Sequence, residues 1–440
     1  MRLKNQLCQM KQYLAFLKNI SWTKIIVVSV LIRVILLPLW HHSDINNHAI
    51  WGIYANEFGF NGYYDWLNFG NYARPDYPPL AILIFWWIRK MWQFVFDILW
   101  WINIHISIFP SNVMTWFDQL GYQKMLKIPA VIGDIGMGYT IYWYFSKIGK
   151  KEIGKLAGVL FLFNPVVIYL SSVWGQLDSF VCWLGILALL FVLKKRYLYA
   201  AFFFWASIMT KQTMLPIFLI LFLLSLKQRV SMTSIVKVAV FSGVILYVLG
   251  NIFTDSNPIV WLVGQYMNKF VKGAPLPYIN LNAFNLWGLV LGLERTADST
   301  LVLGLTVYWW LWLITGLMLF VVLLRFWKGG DVYVGAAVVF LTIFMFASRV
   351  HERYFYPGLV ILPFILGRDS KYAVYFWGFS IVGFLNLYHW WWKPEVGLLM
   401  RFLEMEIVER GLSFANLILF LGIFSVYLKG NEKKIINNNS

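Results

Sequence analysis

Two carboxylates of this chain stand where they could accept a proton at the edge of a membrane. Asp44 follows the first apolar segment and a pair of histidines, and Asp76 precedes the prolines Pro78 and Pro79. Partial burial at such a boundary raises the basicity of a carboxylate, so Asp44 is a candidate general base. The alternatives are a solvated cap of a helix beginning at Ile45 and, for Asp76, a rigid junction between a loop and a helix.

The histidines near Asp44 also suggest a set of metal ligands. His41, His42 and His48 lie close by in the sequence, and the spacing of Asp44 and His48 puts both on one face of a helix. We expect no metal and no other cofactor, and a divalent metal ion at this set is the alternative.

A polar group follows an apolar segment at residues 174–178. Trp174, Gln176 and Asp178 supply an aromatic ring, an amide and a carboxylate on a tight turn. Such a set is suited to holding sugar hydroxyl groups against a stacking ring, and an ordinary turn is the alternative.

Lys211, followed by Gln212, lies between two short apolar pieces. A lysine at such a position is costly unless it is paired, and a phosphate is one possible partner. A lysine that reaches back to the membrane surface is the alternative.

The segment 349–353 carries the densest group of charges. Arg349 and Arg353 could clamp a phosphate or pyrophosphate, and His351 or Glu352 could contact a leaving group or a sugar hydroxyl. The alternative is an internal network of Arg and Glu that ties two helices together.

The composition predicts the elements that must position these residues. The chain has 440 residues, of which 60% are hydrophobic and 13% charged, so it is a polytopic helical membrane protein of the all-α class. Its net charge of +17 comes from basic residues in short loops, which are topology signals and do not indicate nucleic-acid binding. The two cysteines, Cys8 and Cys182, predict no disulfide framework.

The hydropathy pattern predicts about twelve membrane spans, with both termini in the cytoplasm. We predict a cytoplasmic segment 1–23, one transmembrane domain 24–428 and a cytoplasmic tail 429–440. The first outer loop region, 41–123, carries interfacial helices, and an apolar hairpin over 197–226 has Lys211 at its tip. The remaining predicted spans are 24–40, 127–145, 154–171, 179–193, 234–253, 300–325, 332–348, 354–367, 372–391 and 412–428.

The stretch 80–109 allows two interpretations, because Arg89, Lys90 and Asp97 interrupt its apolar run. It is either a hairpin, which would bring the count to fourteen spans, or a set of helices in the outer interface. With either interpretation, the polar clusters described above all fall on the outer side of the membrane.

The order of these motifs resembles the GT-C superfamily of integral-membrane glycosyltransferases. The motifs are Asp44 after the first helix, Asp-Tyr-Pro-Pro-Leu (76–80), Trp-Gly-Gln-x-Asp (174–178), Lys-Gln (211–212), Asn-Ala-x-Asn-Leu-Trp (282–287) and His-Glu-Arg-Tyr (351–354). The chain is most similar to bacterial relatives of the GPI mannosyltransferases and to the endoplasmic-reticulum glucosyltransferases of N-glycan assembly. The resemblance covers about residues 25–390.

The resemblance implies a polyprenyl-phosphate-linked sugar as donor and an active site on the extracytoplasmic face. It implies that Asp44 deprotonates the acceptor hydroxyl, with Asp76, His351 and Glu352 close to the reacting groups. The donor phosphate and sugar would contact Lys211, Arg349, Arg353, Gln176 and Asp178. Other pocket residues would be Tyr77, Trp174, Gln212, Asn282, Asn285 and Tyr354.

The function that we expect is an inverting transfer of a hexose, mannose or glucose, at the cell membrane. The acceptor is a lipid-linked saccharide, a cell-envelope glycan or a protein, membrane lipid surrounds the enzyme, and nucleic acid is not a partner. Two alternatives remain. One is a ligase or polymerase that uses a polyprenyl-diphosphate oligosaccharide, and the other is a transporter or flippase for a lipid-linked sugar.

Overall fold

The computed structural model of the protein describes residues 19–65, 68–271 and 276–430. The predicted cytoplasmic segment 1–23 lies outside these ranges up to residue 18, and the predicted tail 429–440 lies outside them beyond residue 430. Cys8 also falls outside the described residues, whereas Cys182 is a buried free cysteine.

The first half of the chain folds into helices that follow one another closely. Helix α1 leads to the loop that carries the two histidines, and α2 begins at Asp44. Two π-helical turns, Phe117–Gly121 and Tyr169–Trp174, interrupt the series, and the 3-10 turn Gln212–Met214 connects α10 to α11. The α-helices are α1 Trp22–Leu36, α2 Asp44–Phe58, α3 Pro79–His105, α4 Ser111–Trp116, α5 Tyr122–Met125, α6 Ile128–Lys147, α7 Lys151–Leu162, α8 Pro165–Ile168, α9 Asp178–Leu193, α10 Tyr197–Thr210 and α11 Ile217–Lys227.

The second half adds longer helices and four very short strands. The 3-10 turn Ser370–Tyr372 precedes α18. The α-helices are α12 Met232–Phe253, α13 Pro258–Val271, α14 Leu286–Val290, α15 Val307–Trp327, α16 Val332–Phe346, α17 Tyr356–Leu366, α18 Ala373–Trp391, α19 Gly397–Leu403 and α20 Glu406–Lys429. The strands are β1 Asn280–Leu281, β2 Leu301–Val302, β3 Leu305–Thr306 and β4 Val350–His351. The prediction of an all-α protein is therefore correct for most of the chain but misses these strands.

Three helices of the described ranges, α12, α15 and α20, are long and apolar enough to cross a membrane. A fourth span results if α7 and the segment Pro165–Trp174, which meet at a bend of 51°, are counted as one. Five further apolar helices have 10–17 residues, namely α9, α10, α11, α16 and α17. The predicted count of twelve to fourteen spans is thus not confirmed, although the predicted segments and the observed helices coincide closely.

The surface of α12 is typical of a protein that lies in lipid. Only Gly250 and Phe253 of this helix are buried, while Val240, Val244 and Val248 are each more than half exposed. Water does not favour a continuous apolar surface of this kind, so the helix faces hydrocarbon.

Residues 79–105 form one continuous helix, α3, instead of the predicted hairpin. Arg89 does not break the helix, because its guanidinium lies over the rings of Trp92 at 4.1 Å and Tyr122 at 5.2 Å. The buried side of α3 includes Phe85 and Trp92, and its opposite side is exposed. The hairpin interpretation is therefore wrong, and the placement of α3 in the outer interface stays a prediction.

A buried ion pair ties the first helix to the bundle. Arg33 of α1 donates from Nε to Asp134 Oδ2 of α6 at 2.7 Å, and both side chains are fully buried. Its Nη2 donates to Leu162 O at 2.9 Å, and Ser171 Oγ donates to the same Asp134 oxygen at 2.5 Å. The network joins α1 to α6, α7 and the second π-helical turn, which precedes Trp174.

A short parallel ladder joins two segments that are distant in sequence. Strand β1 pairs with β4, so that Asn280 faces Val350 and Leu281 faces His351. Nearby, Asn386 Nδ2 donates to Asn282 O at 2.6 Å. The ladder fixes the segment 280–285 beside the charged segment 349–353.

Candidate active site

Asp44 is the first residue of α2, and its carboxylate faces other polar side chains. Its Oδ2 accepts hydrogen bonds from Trp174 Nε1 at 3.3 Å and from Gln176 Nε2. The alternative in which Asp44 is a solvated helix cap is therefore wrong, because the carboxylate bonds to distant side chains instead of its own helix. The side chain is 31% exposed, and its Oδ1 has no hydrogen-bond partner among the residues that the structure describes.

The charges around Asp44 keep it ionised. Burial alone would raise the pKa of Asp44, but Arg353 and, less strongly, His42 and His48 lower it to about 2. The expectation that burial raises the basicity of this carboxylate is thus wrong, since the nearby cation outweighs desolvation. Asp44 is therefore an anion near neutral pH.

Gln176 lies at the centre of the hydrogen-bond network. Its Nε2 donates to Asp44, while its Oε1 accepts from Tyr77 Oη and from Lys211 Nζ, both at 3.0 Å. The preceding Gly175 has a φ of +97°, a left-handed conformation that glycine adopts without strain and that ends the π-helical turn. This reversal lets Trp174 and Gln176 both reach the same carboxylate oxygen.

Lys211 forms a buried ion pair with Asp178. Its Nζ lies 2.7 Å from Asp178 Oδ2, and the two side chains are 6% and 1% exposed. It also lies over the ring of Tyr77 at 5.2 Å. The alternative in which Lys211 reaches back to the membrane surface is wrong, because the ammonium is enclosed by protein.

We expect Lys211→Met to lower the free energy of unfolding by about 3 kcal/mol, because it leaves the Asp178 carboxylate buried without its cation. The thermal unfolding midpoint in detergent measures this loss. The double variant Lys211→Met/Asp178→Asn should recover most of it. Lys371→Met is the control, since Lys371 pairs with Asp369 at the exposed surface and such pairs contribute little. Equal losses in Lys211→Met and Lys371→Met would contradict the prediction.

The segment 351–354 places a second charged pair in this network. Arg353 Nη1 donates to the fully buried Glu352 at 2.6 Å, and the guanidinium lies 5.6 Å from the ring of Trp174. His351 Nδ1 is 3.7 Å from Glu352 Oε2 and is 24% exposed. Arg353 Nε is buried and has no hydrogen-bond partner among the described residues.

Trp174 does not offer its ring to a sugar. It is fully buried, and His42 stacks on it with 4.3 Å between ring centroids. Burial, opposed by Asp44 and reinforced by Arg353, lowers the pKa of His42 to about 4, so this ring is neutral. The prediction of a sugar-stacking platform is therefore wrong, and the indole instead serves Asp44 as a hydrogen-bond donor.

Asp76 lies at the exposed margin of the cluster. Burial, opposed by Arg353 and reinforced by the charges of Asp178, Asp76 and Glu352, raises the pKa of Tyr354 to about 12. The charge of Asp76 thus acts on Tyr354, whereas a role of Asp76 beside the reacting groups stays a prediction.

Three predicted residues have other partners. Arg349 donates from Nε and Nη2 to Asp298 at 2.7 and 3.1 Å. Asn285 caps α14 by accepting from Trp287 N and donates to Phe344 O. Gln212 lines a small pocket with Tyr64, Pro78, Pro79, Trp261, Leu262, Gln265 and Tyr266.

Within residues 19–65, 68–271 and 276–430, no group of three or more His, Cys, Asp or Glu side chains is arranged to hold a metal ion. His48 packs between aromatic rings, with Phe85 at 4.7 Å and Tyr77 at 5.1 Å. Burial lowers the pKa of His48 to about 3 despite the charge of Asp44. His41 binds Asn46 Oδ1 at 2.7 Å instead.

Two buried residues close to these segments could not be identified as functional candidates from the sequence. Asp298 accepts from Ser348 Oγ and from Arg349, and it lies in a long loop without periodicity. Lys127 is fully buried. In the sequence it stands at the start of the predicted span 127–145, where a basic residue is ordinary. A charged residue at the end of an apolar run is common, so only the fold distinguishes this one.

The comparison with curated proteins finds two similar glucosyltransferases. One, from Drosophila melanogaster, is a probable dolichyl pyrophosphate Glc1Man9GlcNAc2 alpha-1,3-glucosyltransferase, 20% identical over 193 residues, which are 43% of this chain and 35% of that protein. The other, from Dictyostelium discoideum, is a probable dolichyl pyrophosphate Man9GlcNAc2 alpha-1,3-glucosyltransferase, 24% identical over 162 residues, 34% of this chain and 29% of that protein. No protein-family model matches the chain.

The chain spans about a third of the length of the curated relatives that it matches. Both are glucosyltransferases by name, and such dolichyl-pyrophosphate glucosyltransferases belong to the GT-C superfamily. The weak homology confirms the resemblance that the motifs predict.

Proposed function

We propose that this protein is a GT-C glycosyltransferase that moves a hexose, glucose or mannose, from a polyprenyl-phosphate carrier to an acceptor hydroxyl. The observation that carries the proposal is the Asp44 carboxylate, which Trp174 and Gln176 hold through one oxygen while the other oxygen stays open. The similarity to two glucosyltransferases supports the same reaction class. The acceptor is a lipid-linked saccharide, a cell-envelope glycan or a protein.

The open Oδ1 of Asp44 takes the proton from the acceptor hydroxyl as the acceptor oxygen attacks the anomeric carbon. The bond between that carbon and the phosphate oxygen breaks, and the sugar configuration inverts in this single displacement. A positioned carboxylate base of this kind contributes about 10²- to 10⁴-fold to a rate. Gln176 and Trp174 orient the carboxylate, and a fixed orientation avoids the cost of arranging it in each turnover.

The leaving phosphate gains negative charge, and cations are needed where that charge develops. Arg353 is the main candidate, because its Nε is unpartnered among the described residues and its pKa is raised: burial opposes the charge, but Glu352 and Asp44 more than compensate. Lys211 offers a second cation, since an ammonium has three donors and two of them serve Gln176 and Asp178.

A bound donor phosphate also changes the pKa of Asp44. Arg353 lowers the pKa of Asp44 in the free protein, and a phosphate beside Arg353 competes for that positive charge. Asp44 therefore becomes more basic once the donor is bound, which favours binding of the donor before proton transfer.

The site faces the extracytoplasmic side of a multi-pass protein of the cell membrane, with about twelve spans and both termini in the cytoplasm. A lipid-borne donor keeps its chain in hydrocarbon and presents its phosphate at the membrane boundary. The polar loops that carry Asp44, Arg353 and Lys211 lie at helix ends, where such a phosphate arrives.

We expect kcat/KM to show no acid limb from Asp44 between pH 8 and about pH 4. The pKa of Asp44 is about 2 in the free protein, so the base stays deprotonated through this range. The lowered pKa of Asp44 also makes the stability of the folded protein depend on pH. Its contribution to stability is present above pH 3.8 and is lost as the pH falls towards 2. Initial rates in buffers of constant ionic strength measure the profile, and an Asp44-dependent limb near pH 6 would contradict it.

The experiment that tests the function measures release of free polyprenyl phosphate from polyprenyl-phospho-glucose and polyprenyl-phospho-mannose. Purified protein and a lipid-linked acceptor extract are incubated with each donor, with Asp44→Asn in parallel. Consumption of one donor by the wild type alone supports the proposal. Consumption only of a polyprenyl-diphosphate oligosaccharide would indicate a ligase, and movement of labelled lipid across a vesicle membrane without release would indicate a transporter.

A further inference from the structure

We propose that Lys127 is a positioning residue that holds the segment carrying Asp44 against the segment carrying Trp174 and Gln176. The proposal rests on the proposed function in one respect, namely that Asp44 is the base. Its structural part concerns the relative placement of two chain segments and is tested separately below.

The Lys127 ammonium contacts backbone carbonyl oxygens from both segments. Its Nζ donates to Leu37 O at 3.2 Å and Trp40 O at 2.9 Å. On the other side it donates to Ser172 O at 3.1 Å and Val173 O at 2.8 Å. Three N–H groups are thus shared among four oxygens.

Each pair of carbonyls lies just before a functional residue. Leu37 and Trp40 follow the end of α1 and lead to His42 and Asp44. Ser172 and Val173 lie near the end of the π-helical turn, immediately before its last residue, Trp174. Carbonyl groups at the end of a helix lack partners within it, and a lysine is a suitable donor for them.

The stem of Lys127 also packs against the turn between Trp174 and Gln176. A Cβ atom at Gly175 would lie 2.8 Å from Lys127 Cγ and 2.8 Å from Ile45 Cδ1. Gly175 therefore allows the lysine stem and the first turn of α2 to approach the same point. The contact sets the position of both side chains that bind Asp44.

No carboxylate pairs with Lys127 in the hydrogen bonds and ion pairs of the described residues. A fully buried ammonium without an acidic partner is costly. The carbonyl dipoles of the two segments compensate this cost only while both segments stay in place. The lysine thereby couples their positions.

Lys124 is the matched control, because it lies one turn away and is also buried. Its Nζ donates to Trp40 O at 3.0 Å, on the segment before Asp44. Removing Lys124 therefore leaves the connection between the two segments intact.

We expect Lys127→Met to lower kcat about 10- to 100-fold, because a small displacement of a catalytic group has effects of this size. Donor affinity should stay within about 3-fold of wild type, and Lys124→Met should keep kcat within about 3-fold. Lys127→Arg, which retains the donors, should recover most of kcat, and Lys127→Gln serves if the Met variant does not fold. A folded Lys127→Met protein with wild-type kcat, or an equal loss in Lys124→Met, would overturn the proposal.

Amide hydrogen exchange provides a readout that does not depend on activity. In Lys127→Met, exchange should rise in peptides covering 37–48 and 169–178 and stay unchanged elsewhere. A rise across the whole chain indicates a general loss of stability and contradicts the positioning role. If wild type consumes no polyprenyl-phospho-hexose, the proposed function fails, and the exchange pattern still decides whether Lys127 couples the two segments.

Discussion

Asp44→Asn should lower kcat by about 10³-fold while leaving donor affinity within about 3-fold of wild type, because it removes the base and little else. The asparagine oxygen can still accept from Trp174 and Gln176, which are the two donors to Asp44. The substitution also removes a negative charge beside Arg353, so binding of the anionic donor does not weaken. Single-turnover rates at saturating donor measure the first effect, and equilibrium binding of labelled donor measures the second.

Two further variants distinguish this result from a general disturbance of the outer loops. Asp65 accepts from Trp261 and Gln265 and takes no part in the cluster, so Asp65→Asn should retain nearly full kcat. Asp76→Asn tests Asp76, the second carboxylate that could act as the base, at the exposed margin of the cluster. A large loss in Asp76→Asn together with near wild-type turnover in Asp44→Asn would assign the base to Asp76.

The helices could be predicted from the sequence because their signals are local. The predicted spans 234–253 and 372–391 correspond to Met232–Phe253 and Ala373–Trp391. Apolar runs and the basic residues that follow them are properties of about twenty neighbouring residues. The hairpin around Lys211 was predictable for the same reason.

The pairings between helices could not be predicted in this way. Arg33 and Asp134 are separated by 101 residues in sequence, and both lie within runs whose overall hydropathy is high. Asp298 and Arg349, which lie in two different loops, form a second long-range pair. Taken alone, each partner is an isolated charged residue in its segment. Only the folded structure shows that it forms an ion pair.

The residues of the candidate site were predicted better than their chemical roles. Asp44, Gln176, Lys211 and Arg353 do come together, as the order of motifs predicts. The sequence could not indicate that Trp174 would be buried under His42, because a Trp beside a turn is equally suited to the surface. It also could not give the sign of the Asp44 pKa shift, which depends on the position of Arg353.

Arg353→Met should weaken donor binding by about 100-fold, because it removes the cation that is best placed for the donor phosphate. Loss of a buried partner in a hydrogen-bonded charge pair costs about 2 to 5 kcal/mol. Arg353→Lys should fall between wild type and the Met variant, since lysine keeps the charge but not the planar fork or the unpartnered Nε. Equilibrium binding of labelled polyprenyl-phospho-hexose measures all three proteins.

The same substitution should raise the pKa of Asp44 from about 2, because Arg353 is the strongest of the influences that lower it and burial then dominates. The acid limb of kcat/KM should therefore move to higher pH in Arg353→Met, which a purely structural role for Arg353 does not predict. Arg349→Met is the matched control: Arg349 binds Asp298, so its loss should lower the unfolding midpoint and leave the acid limb in place. If Arg349→Met instead weakens donor binding as much as Arg353→Met, both arginines bind the phosphate. If Arg353→Met changes neither donor affinity nor the acid limb, Arg353 serves only to neutralise Glu352.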